Sequence, residues 1–250
     1  MSGDDVLLSV VTATYNVEEK IPSLISSLAR QSDQKFEWVV ADGGSNDSTL
    51  ELVNNAASVL ENVKIDSRPD CGIYDALNRA VKIAEGDYYL VVGADDELTP
   101  GAVESFRKAC KESEADFVTA LIDTGRNIKG VRRPGWRWLY GPFAYVSGHA
   151  VGLAIRRSLH DRFGFYSLDY HIASDQLFIL RAVDGGAVVS RHDFVAGRFD
   201  PGGTSAQDLL ATLMEGFRVQ VTVGESPLIQ FGLLGLRILK NLGRIKANLR

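Results

Sequence analysis

The sequence has few cysteines and none of the spacings that bind zinc. Cys71 and Cys110 are its only cysteines, and neither belongs to a CxxC pair or to a Cys/His cluster. Two isolated thiols in 250 residues are typical of a reducing compartment rather than of a disulfide framework. The pattern therefore gives no indication of a disulfide-stabilised or zinc-stabilised fold.

Long apolar runs and an excess of basic residues are also missing. No stretch reaches the roughly 18–20 apolar residues that cross a bilayer, and the first five residues include Asp4 and Asp5 where a signal peptide is basic. The formal net charge is -5, whereas nucleic-acid binding usually requires a basic patch. We expect a cytoplasmic protein that does not bind nucleic acid.

The residues that are present indicate a globular α/β protein. The chain is 45% hydrophobic and 24% charged, with no internal repeat and no low-complexity linker. Short apolar runs alternate with longer helical patterns in its first half, which predicts a mostly parallel, doubly wound sheet. The predicted strands cover residues 6–14, 36–41, 63–66 and 88–92. The predicted helices cover 19–30, 48–60 and 73–85, and Thr99-Pro100 predicts the start of a fourth.

The second half is less regular. Residues 116–122 predict a fifth strand, and helical patterns follow near 156–163, 174–182 and 206–221, with a last one from 229 to the C-terminus. We expect one domain over residues 1–225, with a nucleotide-binding half at about 1–98 and an acceptor half at about 99–225. Residues 226–250 are expected to form a basic amphipathic helix.

Polar clusters follow three of the predicted strands, where ligands bind in open α/β sheets. Thr14 and Tyr15 follow the first strand, Asp42 follows the second, and Asp95-Asp96 follows the fourth. Two carboxylates directly after a buried strand need a positive partner, and a divalent cation bridging to a diphosphate is a natural one. The Asp42 cluster fits a ligand contact and an ordinary Asp-Gly turn equally well. Neither GxGxxG nor GxxxxGK[ST] is present.

Four ordered segments resemble the inverting glycosyltransferases of family 2, which have the GT-A fold. The segments are SVVTATYN (residues 9–16), VVADGGSNDST (39–49), GIYDALN (72–78) and AEGDYYLVVGADD (84–96). The resemblance covers most of residues 7–100. It implies a single GT-A domain that binds a nucleotide-sugar.

The resemblance implies a role for each matched position in the donor site. Ala13, Thr14 and Tyr15 would line the nucleoside pocket, and Asp42 would accept a hydrogen bond from the base. Gly72 would let the chain approach the donor, with the N-terminus of the following helix facing the diphosphate.

The metal site implied by the resemblance departs from the family pattern. Asp95 matches the metal-binding end of the family's DxD motif and Asp96 is its neighbour, so that Mn2+ or Mg2+ is expected there. Gly93 stands where many members have the first Asp. This makes Asp95 the expected principal ligand.

The resemblance continues through shorter matches in the second half, where Asp175 opens a helix at the position of the family's catalytic base. A carboxylate is needed there because the acceptor hydroxyl must lose its proton. Alternatively, Asp175 only places negative charge at a helix N-terminus. His149 fits a phosphate or acceptor contact or a structural role. Trp136 and Trp138 fit an acceptor loop that stacks on sugars or ordinary packing.

The C-terminal segment contains no acidic residue after Glu225. Its basic residues alternate with apolar ones, and they are Arg237, Lys240, Arg244, Lys246 and Arg250. Such a helix fits contact with an anionic membrane surface. It also fits a terminal helix that packs its apolar face on the domain and keeps its charges in water.

We therefore expect an inverting glycosyltransferase that moves a sugar from a nucleoside diphosphate donor, UDP being favoured, to a glycan or lipid-linked glycan. Bacterial cell-surface polysaccharide synthesis is the expected setting, in the cytoplasm, and contact with the cytoplasmic face of the membrane is left open by the C-terminal segment. One alternative is a sugar-phosphate nucleotidylyltransferase, although the segment after Thr14 is acidic where that class is basic and glycine-rich. Another alternative is a nucleotide-sugar-binding module without catalysis. This alternative remains because Gly93 stands where many family members have the first Asp of the metal motif.

Overall fold

A computed structural model describes residues 7–132, 135–199 and 208–248. Within these residues, nine strands form a single sheet. The strands are β1 (Leu8–Thr14), β2 (Phe36–Asp42), β3 (Val63–Ser67), β4 (Tyr88–Val91), β5 (Glu97–Leu98), β6 (Phe117–Asp123), β7 (Ile128–Lys129), β8 (Leu153–Arg156) and β9 (Val189–Arg198). Their order is β3-β2-β1-β4-β8-β6-β9-β5, with β7 paired to β6.

Helices cover both faces of the sheet and extend beyond it at the C-terminus. The helices are α1 (Ile21–Ala29), α2 (Thr49–Ala56), α3 (Ile73–Ile83), α4 (Ala102–Ser113), α5 (Arg137–Tyr140), α6 (Leu159–Phe163), α7 (Ser174–Asp184), α8 (Leu209–Thr222) and α9 (Pro227–Asn248). Short 3-10 turns cover Gly141–Ala144 and Ala150–Gly152.

The predicted α/β fold is confirmed, and its parallel part lies in the first half of the chain. β3, β2, β1 and β4 are parallel neighbours, as the alternation of strands and helices predicts. β8 then pairs antiparallel with both β4 and β6, so that the sheet becomes mixed beyond β4. Because β1 to β4 are parallel, their carboxyl ends lie at one edge, and the loops that carry the predicted donor residues leave from that edge.

Two apolar layers hold the sheet between its helices. Alternate residues of β1 point to opposite faces, as the period of two requires. Val10 packs in the layer that contains Leu24 of α1, whereas Val11 packs in the layer that contains Leu77 of α3 and Phe178 of α7. The second layer therefore joins α3 to α7, which carry predicted donor and catalytic residues.

The predicted start of the fourth helix is wrong by about two residues. α4 begins at Ala102, because the Thr99 hydroxyl donates to the carbonyl of Val195 on β9 and does not cap the helix. The helix predicted over 206–221 is observed from Leu209, and residues 206 and 207 lie outside the described residues.

Most large apolar side chains of the C-terminal helix α9 point away from the protein, which differs from a terminal helix that packs its apolar face on the domain. Two of its polar side chains bond to the protein: Gln230 donates to the carbonyl of Trp138 at 2.7 Å, and Arg237 donates to that of Leu139 at 2.5 Å. Its exposed large hydrophobic side chains are Leu228, Ile229, Phe231, Leu236, Leu239 and Leu242, and Lys240 and Arg244 are exposed beside them. No helix within the described residues is long and apolar enough to span a bilayer.

A buried carboxylate organises the edge of the sheet opposite the predicted site. Glu37 of β2 is fully buried and accepts hydrogen bonds from the Ser9 hydroxyl and from the backbone N–H of Gly86. Lys64 pairs with the same carboxylate at 2.7 Å. A Cβ at Gly86 would lie 2.4 Å from Ser9 Oγ and 2.8 Å from the backbone nitrogen of Ser9. Only glycine therefore fits where the chain enters β4.

We expect Gly86→Ala to lower the free energy of unfolding by about 2–3 kcal/mol, since the added methyl group forces β1 and the Glu37 network apart. Gly216→Ala is the matched control, because a Cβ there meets no atom within 4 Å and Gly216 lies inside α8. The control should be neutral or up to about 1 kcal/mol stabilising. Urea denaturation measures both, and equal effects of the two substitutions would contradict this account.

Candidate active site

The loops that follow β1 and β2 are bound to each other at the carboxyl edge of the sheet. The backbone N–H of Asn16 donates to Ser45 Oγ at 2.9 Å, and the N–H of Asn46 donates to Asn16 Oδ1 at 3.0 Å. Asn16 has φ of 50°, a left-handed conformation that asparagine tolerates better than most residues. The two loops therefore form one rigid wall.

Asp42 is the centre of this wall. Its carboxylate is fully buried and, within the described residues, accepts five hydrogen bonds. The donors are Thr14 Oγ1, Ser67 Oγ, Ser45 Oγ and the backbone N–H groups of Gly44 and Ser45. Burial raises the pKa of Asp42, but the hydrogen bonds from Ser45, Ser67 and Thr14 outweigh burial and hold the pKa below its usual range.

The structure gives the predicted nucleoside residues different degrees of access. Tyr15 is 62% exposed at the end of β1, Ala13 is half-buried, and Thr14 is buried against Asp42. Tyr15 therefore presents an open aromatic face beside a carboxylate that shapes the surrounding loop. A hydrogen bond from a base to Asp42 would have to replace one of the hydrogen bonds that Asp42 now accepts. The nucleoside-binding roles of Ala13, Thr14, Tyr15 and Asp42 stay predictions.

The start of α3 forms the next part of the edge. Gly72 has φ of 116°, which L side chains rarely adopt, and its N–H donates to Asp70 Oδ1 at 2.9 Å. Buried Arg79 donates from α3 to the carbonyl of Asp42 at 3.2 Å and pairs with Asp66 at 3.1 Å. Sequence reasoning missed Arg79, because an arginine inside a helical pattern is usually solvated. The N-terminus of α3 is thereby fixed beside the Asp42 wall.

Asp95 and Asp96 lie in different environments although they are neighbours in sequence. Asp95 is partly exposed and pairs with Lys20 Nζ at 3.3 Å. Asp96 is buried; its Oδ2 accepts from the N–H of Gly93 at 3.1 Å and lies 3.7 Å from His149 Nδ1. Lys20 was not predicted as a site residue, since the sequence does not reveal that it reaches a residue 75 positions away.

Gly93 fits closely against both carboxylates. A Cβ at this position would lie 2.8 Å from Asp95 Oδ1 and 3.0 Å from Asp96 Oδ2. Among the described residues, no group of three His, Cys, Asp or Glu side chains converges on one point. The donor set fits a hard cation that takes one or two carboxylate ligands and completes its shell with phosphate and water oxygens. Metal binding at Asp95 and Asp96 stays a prediction.

His149 lies beside the acidic pair in an apolar setting. Its ring stacks on Phe199 with centroids 3.9 Å apart, and its Nδ1 accepts weakly from the N–H of Val151 at 3.4 Å. Burial lowers the pKa of His149 to about 4, although Asp95 opposes this. The imidazole is therefore neutral near pH 7, and its predicted contact with phosphate or acceptor is untested.

Asp175 lies in the first turn of α7 and is bound to the helix that begins at Gly72. Tyr74 Oη is 2.8 Å from Asp175 Oδ1. Burial raises the pKa of Asp175 above its usual range, the nearby Glu215 adds to this, and the Tyr74 hydrogen bond partly offsets it. A carboxylate of this kind suits proton abstraction, and it also lies at a helix N-terminus, as the alternative expects. Sequence reasoning missed Tyr74, which is 101 residues away.

The predicted acceptor tryptophans lie toward the other end of α7. Trp136 and Trp138 stack with centroids 6.0 Å apart, and both are about two-fifths exposed. Arg137, between them, pairs with Asp184 at the last residue of α7. Asp184 lies nine positions after Asp175 along α7, which is about 14 Å at a rise of roughly 1.5 Å per residue. An acceptor role for this pair stays a prediction.

The arrangement defines a class of protein. A parallel half-sheet, polar loops at its carboxyl edge and a mixed second half are the layout of the GT-A glycosyltransferases. The glycosyl transferase family 2 model matches residues 9–178, and the chain belongs to that family. Both predictions, of the family and of the fold, are confirmed.

Relatives by sequence are glycosyltransferases. The PGL/p-HBAD biosynthesis glycosyltransferase of Mycobacterium tuberculosis strain H37Rv is 33% identical over 212 residues, which cover 80% of this chain and 79% of the relative. An uncharacterized glycosyltransferase of Bacillus subtilis, YwdF, is 31% identical over 70% of this chain and 67% of its own length.

Solved structures share the fold. The crystal structure of Staphylococcus aureus TarS residues 1–349 with UDP has a TM-score of 0.66 and 23% identity, covering 94% of this chain and 72% of that chain. The mannosyltransferase PcManGT from Pyrobaculum calidifontis, in complex with GDP-Man and Mn2+, has a TM-score of 0.65 and 17% identity, with coverage of 94% and 75%.

We expect Asp42→Asn to destabilise the protein by about 2–4 kcal/mol, because the amide NH2 would face donors that now bind a carboxylate. Since the folded-state pKa is lowered, this stabilisation is present above the unfolded pKa of about 3.9 and is lost as pH falls through the folded pKa. Denaturation of both proteins between pH 7 and pH 3 tests the prediction.

The difference in unfolding free energy between the wild type and Asp42→Asn should become smaller toward pH 3. Asp193→Asn, at an exposed position on β9, is the control and should change stability by less than about 0.5 kcal/mol. An Asp42→Asn protein as stable as this control would contradict the proposed organisation of the wall.

Proposed function

We propose that this glycosyltransferase moves a sugar from a nucleoside diphosphate donor to a hydroxyl acceptor, with inversion at the anomeric carbon. The observation that carries the proposal is the contact between Tyr74 and Asp175. It joins a carboxylate of raised pKa to the first turn of α3, at the sheet edge that also carries Asp42 and Asp95.

Asp175 is the catalytic base in this proposal. The acceptor oxygen attacks the anomeric carbon from the face opposite the diphosphate, and its proton passes to the Asp175 carboxylate. The bond from the anomeric carbon to the diphosphate oxygen breaks with its electron pair, which leaves on the nucleoside diphosphate. Burial raises the pKa of Asp175, which makes its carboxylate a better proton acceptor.

The donor side is assigned to the loops after β1 and β2 and to the N-terminus of α3. Tyr15 offers an exposed aromatic face for the base, and Ala13, Thr14 and Asp42 shape the pocket. The backbone N–H groups at the start of α3, after Gly72, would face the diphosphate. The TarS complexes with UDP and UDP-GlcNAc support UDP, whereas the GDP-Man complex of PcManGT leaves the base open to test.

A divalent cation, Mn2+ or Mg2+, would be held by Asp95 with Asp96 behind it. When bound, it would neutralise charge on the departing diphosphate. Lys20, which now pairs with Asp95, would take part in the same neutralisation. The Mn2+ complex of PcManGT supports a metal of this kind.

The acceptor is proposed to be a glycan or lipid-linked glycan that is used at the cytoplasmic face of the membrane in cell-surface glycan synthesis. The outward face of α9 supports this location: Leu228 is 87% exposed and Phe231 70% exposed. Lys240 and Arg244 are exposed on the same helix, and no acidic residue follows Glu225. Such a face suits the interface of an anionic bilayer. The side chain of Lys246 and all of Arg250 lie outside the described residues.

We expect Asp175→Asn to lower kcat about 100-fold or more, because the amide cannot accept the proton. Binding of UDP with Mn2+, measured by calorimetry, should change less than about threefold. The wild-type rate should fall as pH drops through the raised pKa of Asp175.

The same measurements separate the alternatives. Transfer at the wild-type rate by Asp175→Asn would exclude Asp175 as the base. Binding of nucleotide-sugars without turnover by the wild-type protein would indicate a binding module, and formation of a nucleotide-sugar from a nucleoside triphosphate would indicate a nucleotidylyltransferase.

We expect the double variant Phe231→Ser, Leu239→Ser to lose at least about tenfold in binding to vesicles containing phosphatidylglycerol, since two exposed apolar side chains no longer enter the interface. Cosedimentation measures this. Val59→Ser and Ile128→Ser, at exposed apolar positions elsewhere, should bind as the wild type does. Unchanged binding by the double variant, or a dimer in solution that the double variant abolishes, would contradict the membrane assignment.

A further inference from the structure

The hydroxyl group of Tyr74 lies between two acceptors. Tyr74 is buried, and its Oη is 2.8 Å from the carbonyl oxygen of Ile172 and 2.8 Å from Asp175 Oδ1. A phenol carries one proton and two lone pairs, whereas a backbone carbonyl can only accept. The single phenolic proton therefore serves two acceptors while Asp175 is ionised.

This geometry gives the Asp175 carboxyl group a hydrogen-bond partner in both of its protonation states. While Asp175 is ionised, the Tyr74 hydroxyl donates to Oδ1. When Oδ1 carries a proton, that proton donates to the phenolic oxygen, and the phenolic proton turns to the carbonyl of Ile172. When the proton is on Oδ2 instead, Tyr74 continues to donate to Oδ1. The phenolic proton is thus divided between two acceptors while Asp175 is ionised, and protonation at Oδ1 gives each acceptor a donor of its own.

The second acceptor is held in place by α8. Glu215 accepts three backbone hydrogen bonds from the turn before α7. Its Oε1 accepts from the N–H of His171 at 2.9 Å. Its Oε2 accepts from the N–H of Ile172 at 2.8 Å and from that of Ala173 at 2.9 Å. Glu215 belongs to α8, and its side chain is buried. The turn that presents the Ile172 carbonyl is thus rigid, so that Tyr74 has a fixed partner when its proton leaves Asp175.

Among the described titratable side chains near Asp175, Tyr74 is the one that hydrogen-bonds to it directly. Glu215 is the charged group that acts on Asp175, and it raises the pKa of that carboxyl. Tyr89 and Tyr166 are buried nearby, but their hydroxyls bond to each other at 2.6 Å. Among the described contacts, Tyr74 is the one side chain that donates to Asp175.

We propose that Tyr74 is the positioning residue of the catalytic base: it orients the Asp175 carboxylate and exchanges hydrogen bonds with it as the acceptor proton arrives. This inference rests on the proposed function. It also gives the two halves of the site a direct link, since Tyr74 lies two residues after Gly72 at the start of the donor helix α3.

Tyr74→Phe tests the proposal, because it removes only the hydroxyl. We expect kcat to fall about tenfold or more, because the variant loses one hydrogen bond to a charged group. The KM for the donor should change less than about twofold. The acid limb of the pH profile of kcat/KM should move to higher pH, because Tyr74 no longer stabilises the ionised form of Asp175. UDP binding by calorimetry confirms that the variant is folded.

Tyr88→Phe is the matched control. Tyr88 is equally buried, and its hydroxyl donates to the carbonyl of Ala115 at 2.6 Å, away from Asp175. This control should lose stability while keeping the wild-type kcat and pH profile. A Tyr74→Phe enzyme with wild-type kcat and an unmoved acid limb would overturn the inference, and so would a fall in stability alone. Failure of the proposed function would be seen separately, as an inactive wild type or an active Asp175→Asn variant.

Discussion

The buried carboxylate of Asp42 is the interaction on which the donor edge depends. A carboxylate without access to water must be satisfied by the protein, and here the donors come from β1, from the loop after β2 and from β3. The hydrogen bonds to that one charge therefore hold the ends of β1 and β3 and the loop after β2 together. Arg79 extends the same network to α3 through the carbonyl of Asp42. The pocket walls are thus set by electrostatics at the sheet edge before any ligand arrives.

The second half of the site is connected to the first through α3. The buried layer on one face of the sheet contains Tyr74, Leu77 and Phe178, so that α3 and α7 pack as a unit. The hydroxyl of Tyr74 adds a directional contact to this apolar packing. Glu215 then holds the turn before α7 in place from α8. The base is consequently positioned by groups from three separate parts of the chain.

The sequence alone predicts the parallel half of the fold well, because β-branched runs and helical periodicity are local patterns. It also identifies the polar groups at the strand ends, since strand ends and turn residues are read directly from the chain. It does not predict the contacts that set their chemistry. Lys20 meets Asp95 across 75 residues, and Tyr74 meets Asp175 across 101. The sequence also does not decide which face of α9 packs on the domain, because Gln230 and Arg237 bond to backbone carbonyls of Trp138 and Leu139, more than 90 residues earlier.

A crystal structure of the protein with UDP and Mn2+ tests the central claim most directly, that the carboxyl edge of the parallel half-sheet is the donor site and that Asp175 faces it. We predict that the uracil ring lies beside Tyr15 and the diphosphate between the N-terminus of α3 and Asp95. We also predict that the Asp175 carboxylate stays bound to Tyr74, on the side where an acceptor would approach. UDP bound at any other face of the sheet, or Asp175 separated from Tyr74 and turned away from the diphosphate, would contradict it.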